Sequence, residues 1–150
     1  MSLEVRSPVA GRAVAMTEVP DPVFAQAMVG PGIAVQPAAG PADAVAPIDG
    51  TIMTLHPHAF VVAGEDGRAV LVHLGIDTVK EKGEGFTLHV VKGERVRAGQ
   101  PIVGWNPTAV AEAGYSAIVP VVALDAQAEV LSALAEGDVA AGDRVFTWDA

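Results

Sequence analysis

An all-β fold is predicted: an antiparallel β-sandwich or barrel of pseudo-repeated strand-turn-strand units with a few short helical turns. Three observations carry this. The Val-, Ile- and Ala-rich runs are short, and 16 glycines and 11 prolines punctuate them, as expected for many brief strands joined by frequent turns. Helical periodicity is confined to Pro22 to Val29, Pro107 to Gly114 and Asp125 to Leu134. Two internal matches suggest duplication. Ser7-Pro8-Val9-Ala10-Gly11-Arg12-Ala13-Val14 resembles Ala46-Pro47-Ile48-Asp49-Gly50-Thr51-Ile52-Met53, and Lys92-Gly93-Glu94-Arg95-Val96-Arg97-Ala98-Gly99-Gln100 resembles Glu136-Gly137-Asp138-Val139-Ala140-Ala141-Gly142-Asp143.

In chain order, the first unit opens at Ser7, and a helical segment follows from Pro22. Pro31 to Pro47, rich in Pro and Ala, reads as a loop too short to link two domains. The second unit opens at Ala46 and runs into a hairpin. Turns are expected at Gly64-Glu65-Asp66-Gly67, Val91-Lys92-Gly93-Glu94 and Glu136-Gly137-Asp138. The 150 residues suit one domain, 1–150.

Composition narrows the function. Hydrophobic residues make up 51% of the chain, enough for a core and against disorder. No apolar run approaches the roughly 20 residues of a membrane helix, and Met1-Ser2-Leu3-Glu4-Val5 does not open a signal peptide. Cysteine is absent, which excludes disulfides, thiolate metal sites and cysteine nucleophiles and fits a reducing compartment. Nine basic residues stand against eighteen acidic, a net charge of −9. Nucleic-acid binding needs the opposite sign.

Three of the four histidines, His56, His58 and His73, fall within eighteen residues. Residues His58 to Ala63 and Arg68 to Leu74 form the expected hairpin. With Glu65-Asp66 as a two-residue loop, His58 lies directly opposite His73; with Asp66-Gly67, the favoured type I′ dipeptide, the two are diagonal neighbours. Both registers put the rings on one face, Cβ atoms about 4.5–8 Å apart. A three-residue loop would send them to opposite faces. The residues themselves leave three readings open. One is an ordinary cross-strand pair. Another is a metal site in which His56-Pro57-His58 forms an H-x-H with His73 as third ligand. The third is phosphoryl carriage, in which a neutral imidazole acts as nucleophile and a second ring donates to the phosphoryl oxygens.

The stretch Gly67-Arg68-Ala69-Val70-Leu71-Val72-His73-Leu74-Gly75-Ile76-Asp77-Thr78-Val79, continuing through Lys82-Gly83-Glu84-Gly85-Phe86, resembles the glucose-family IIA component of the bacterial phosphoenolpyruvate-dependent sugar phosphotransferase system. So do Pro20 to Phe24, Met28 to Ala34, Ala46 to Gly50, His58-Ala59-Phe60 and Gly93 to Gly99, covering nearly the whole chain. The resemblance implies an antiparallel β-sandwich acting in the cytoplasm as a phosphotransferase intermediate without cofactor. It implies that His73 is phosphorylated and that His58 assists. The donor would be the phosphorylated histidine-containing phosphocarrier protein. The acceptor would be a cysteine of a IIB component, with IIB and the membrane component IIC on separate polypeptides.

It further implies that Asp21 and Asp77 lie around the site, and that Val23, Phe24, Met28, Val29, Leu71 and Val79 form an apolar collar where partners dock. On that view truncating Phe24 would weaken docking and leave stability nearly unchanged. One position departs from the family: where threonine is common two residues before the supporting histidine, this chain has His56. His56 is expected to support the site, and His89 to be a surface strand residue. The alternatives are a zinc-binding β-sandwich hydrolase using His56, His58 and His73, disfavoured because no histidine precedes His56, and a biotinyl- or lipoyl-type carrier, which lacks its lysine turn.

Overall fold

A computed structural model describes residues 2–149; residues 1 and 150 of the expected domain, and with them Met1 of the N-terminal reading, lie outside. Among the described residues fourteen strands and two short helices follow one another, and every strand pairing is antiparallel. The first half holds β1 (Ser2–Arg6), β2 (Gly11–Ala15), α1 (Pro22–Ala25), β3 (Gly32–Pro37), β4 (Ala42–Val45), β5 (Gly50–His56), β6 (Ala59–Ala63) and β7 (Ala69–His73). The second holds β8 (Thr87–Leu88), β9 (Arg95–Val96), β10 (Pro101–Trp105), α2 (Pro107–Glu112), β11 (Val119–Ala123), β12 (Leu131–Ser132), β13 (Gly137–Val139) and β14 (Arg144–Asp149).

The duplication read from the sequence organises the sandwich. A three-stranded sheet β1-β14-β12 has its counterpart in β4-β10-β8, and the eight-stranded sheet runs β13-β2-β3-β11-β7-β6-β5-β9. Read from either end, that sheet meets matching strands: β13 and β9, β2 and β5, β3 and β6, then β11 and β7 with Val121 opposite Val72 at the centre. The repeats also bond reciprocally. Arg6 N–H donates to the Pro47 carbonyl at 2.9 Å and Val45 N–H to the Pro8 carbonyl at 2.8 Å. Gly142 N–H reaches Ser7 and Gly99 N–H reaches Ala46, each at 2.9 Å. Between the sheets lies the main core, with Phe60, Phe146, Ile48, Ile52 and Ile102 nearly or wholly shielded from water.

Four local readings change. Pro31 to Pro47 is mostly strand: Ile33, Ala34 and Val35 are buried in the middle of the large sheet, and the prolines stand at the strand's margins, where no ladder N–H is needed. The helix expected from Asp125 to Leu134 is a 3-10 turn, Ala128–Val130, leading into β12, because Leu131 pairs with Trp148. Gly137 and Asp138 belong to β13, and the turn comes later, where Asp143 N–H donates to the Ala140 carbonyl. Finally, α1 stops at Ala25, since Ala27 takes a left-handed φ of 53°.

Candidate functional site

His73 is the last residue of β7. Beyond it the chain bends through Gly75 at φ +80°, where an added Cβ would fall 2.7 Å from Thr78 Cγ2 and 2.8 Å from the Ser116 carbonyl oxygen. Only glycine fits. The buried Thr78 hydroxyl braces this bend by donating to the Leu74 carbonyl at 2.7 Å. The Gly75 carbonyl in turn lies 2.5 Å from His73 Nδ1. A carbonyl can only accept, so the proton resides on Nδ1 and Nε2 carries the lone pair. Gly75 and Thr78 stood in the sequence motif, but only the bend reveals what they do.

The hairpin register differs from both expected forms. Its loop has three residues, Glu65-Asp66-Gly67: Gly64 N–H donates to the Arg68 carbonyl at 2.8 Å, Gly67 N–H to the Gly64 carbonyl at 3.1 Å, and Gly67 adopts φ +89°. This is the three-residue hairpin loop that ends in a left-handed glycine. Ala59, not His58, therefore faces His73 across the ladder. On a regular strand His58 would project from the opposite face. It escapes that rule because it precedes β6, in the Pro57-His58 turn after β5. Its carbonyl accepts from Leu74 N–H at 2.7 Å, docking the turn on the end of β7. The His58 and His73 ring centroids are 5.2 Å apart at an interplanar angle of 69°. The rings meet, by a route other than strand pairing.

His56 ends β5, is exposed, and stacks on His58 at 5.6 Å and 23°. Phe24 closes another side of His73 at 5.3 Å. Asp21 caps α1, accepting from Val23 N–H at 2.9 Å. Burial pushes the His73 pKa below its ordinary value, opposed in part by the Gly75 carbonyl and by the Asp21 and Asp77 carboxylates. His58 is lowered to about 4, by burial first and then by His73 and His56. At neutral pH both inner rings are therefore predominantly uncharged, and each keeps a nitrogen lone pair. His89, beside Asp43 Oδ1 at 2.8 Å and just past β8, lies outside this cluster and off a strand.

These shifts set a pH dependence of stability. A histidine with a depressed folded pKa binds fewer protons folded than unfolded, so stability is full above about pH 6.5 and declines as pH falls toward about 4. His58→Gln should flatten that decline, a difference measured by denaturant unfolding of both proteins at steps across the window. Equal slopes would show that His58 is not held neutral by the fold.

The six collar positions divide. Val23, Met28 and Val79 are exposed (40%, 67% and 58%), whereas Val29 and Leu71 are half-buried against a small cluster of Met16, Val19, Ile76, Ile118 and Val122. Phe24, 8% exposed, belongs to that cluster. The expectation that Phe24 could be truncated without loss of stability is corrected. Phe24→Ala should cost about 3 kcal/mol or more in chemical denaturation, because it empties a packed site. A loss under about 1 kcal/mol would restore it to the rim.

A family model described as "phosphoenolpyruvate-dependent sugar phosphotransferase system, EIIA 1" matches residues 3–129. The chain belongs to this family. It is 38% identical over 122 residues to the "PTS system glucose-specific EIIA component" of Oceanobacillus iheyensis, covering 80% of this chain and 73% of that one. It is 40% identical over 126 residues to the "PTS system glucose-specific EIIBCA component" of Corynebacterium glutamicum, covering 83% of this chain but only 18% of that larger protein. Among solved structures, glucose permease IIA from Mycoplasma capricolum superimposes with a TM-score of 0.91 at 32% identity, covering 98% of this chain and 96% of its own. An EIIA component is a phosphocarrier of the phosphotransferase system, and the antiparallel sandwich is its fold. Nothing supports the zinc-hydrolase alternative: among the described residues no group of three or more His, Cys, Asp or Glu is arranged to hold a metal ion. Nor, among the same residues, is any helix long and apolar enough to cross a membrane.

Proposed function

We propose that residues 1–150 act as one cytoplasmic phosphocarrier domain, in which His73 accepts the phosphoryl group on Nε2. The donor is the phosphorylated histidine-containing phosphocarrier protein, and the acceptor is the cysteine of a IIB component that works with membrane IIC. The carrying observation is the bond from His73 Nδ1 to the Gly75 carbonyl, which leaves Nε2 unprotonated with the His58 ring beside it. In loading, the Nε2 lone pair bonds to phosphorus as the donor's P–N bond breaks, and the electron pair leaves on the donor imidazole. In onward transfer a IIB thiolate bonds to phosphorus, and the pair of the breaking N–P bond returns to Nε2.

His58 donates to the phosphoryl oxygens, Asp21 and Asp77 bias the charge of His73, and exposed Val23, Met28 and Val79 are the rim that partners cover, with Phe24, Val29 and Leu71 beneath. Relatives carry names for different sugars, which agrees with IIB and IIC setting the sugar. Intact-mass measurement after incubation with phosphoenolpyruvate, enzyme I and the phosphocarrier protein tests the proposal. One acid-labile phosphoryl group is expected; an unchanged mass rejects it.

A further inference from the structure

We propose that His56 is a positioning residue for this transfer, a flat platform that holds the His58 ring in register with His73; the inference rests on the phosphocarrier reading above. The ring nitrogens of His58 have no protein hydrogen-bond partner among the described residues. Without a protein hydrogen bond on its nitrogens, an imidazole is not fixed about the broad χ2 torsion. His73 has its Gly75 anchor; among the described residues His58 has two ring neighbours and no such hydrogen bond. One is the edge-on His73 at 5.2 Å, and the other is the stacked His56 at 5.6 Å and 23°, both within the range where aromatic pairs attract. Turning the His58 ring breaks the stack, so the stack selects its plane.

The chain is built to hold this spacing. His56 is the end of β5 and pairs with Ala59 across the hairpin. Pro57, whose ring fixes φ, separates the two histidines, and Gly83 lies against it, with Pro57 Cγ 3.3 Å from where a Cβ on Gly83 would stand. During transfer, as one bond to phosphorus forms and the other breaks, the phosphoryl oxygens must find an N–H already in place. The threonine common in the family at this position offers a hydroxyl. His56 offers a face.

Three variants of the full chain separate the possibilities in single-turnover transfer from phosphorylated protein to a IIB component. His56→Ala should lower the maximal rate about three- to tenfold, with the half-saturating IIB concentration and the unfolding midpoint unchanged. His56→Phe, which keeps a ring and no nitrogen, should recover most of the rate, and His56→Gln should not. Wild-type rates for His56→Ala overturn the inference, as does rescue by Gln but not Phe, or a rate loss that tracks the unfolding midpoint. These failures leave His73 as the acceptor. Absence of labelling in the wild-type protein would instead remove the parent reading and this one with it.

Discussion

A His73→Ala variant should take up no phosphoryl group from the phosphocarrier protein under conditions where the wild-type chain takes up one. The effect is all-or-none because no other ring in the cluster offers an equivalent nitrogen. His73 alone has Nδ1 committed to a backbone carbonyl, and with it a defined lone pair on Nε2. His58 lacks such an anchor, and His56 lies at the exposed end of the row. The measurement is intact mass before and after mild acid. The alanine variant loses packing against Phe24 and His58, so its unfolding should be followed alongside to show that a folded protein was tested. A folded variant labelled to normal stoichiometry would move the acceptor to another residue.

His58→Gln should still be loaded, while its transfer onward to IIB slows on the order of 10²-fold or more. Removing one preorganised contact to a transferring group typically has an effect of that size. Glutamine retains a donor but not the ring that sits 5.2 Å from His73 and 5.6 Å from His56, so its amide is no longer held in one plane. In the onward transfer proposed above, the leaving nitrogen would be His73 Nε2, and His58 is the ring beside it. Single-turnover kinetics with phosphorylated variant and IIB read the step directly, and an unchanged onward rate would reject the assignment.

Much of the fold was legible because β-structure writes itself locally. Short apolar runs between glycines and prolines announced strands, and the Pro8-to-Gly11 and Pro47-to-Gly50 matches announced two units that the structure pairs through reciprocal bonds between Arg6, Pro47, Val45 and Pro8. The motif around His73 was equally plain. Sequence failed where the answer depends on how separate segments meet. The hairpin loop took three residues, not two, because Gly67 could adopt a left-handed φ and Gly64 could pair with Arg68. By strand alternation alone that change parts the two histidines. They come together because His58 sits in a turn, outside the ladder, with its carbonyl bonded to Leu74. Burial of Phe24 was likewise invisible, since a short helix with one large aromatic reads the same whether that ring faces water or a pocket of Met16, Val19, Ile76, Ile118 and Val122. The sequence by itself determined the β-rich class, the duplication and the motif that carries the three histidines, but not every strand nor how the rings meet. Tertiary structure alone decided which nitrogen of His73 keeps its lone pair, because that depends on a carbonyl two residues away that only the bend at Gly75, packed against Thr78 and Ser116, turns toward the ring.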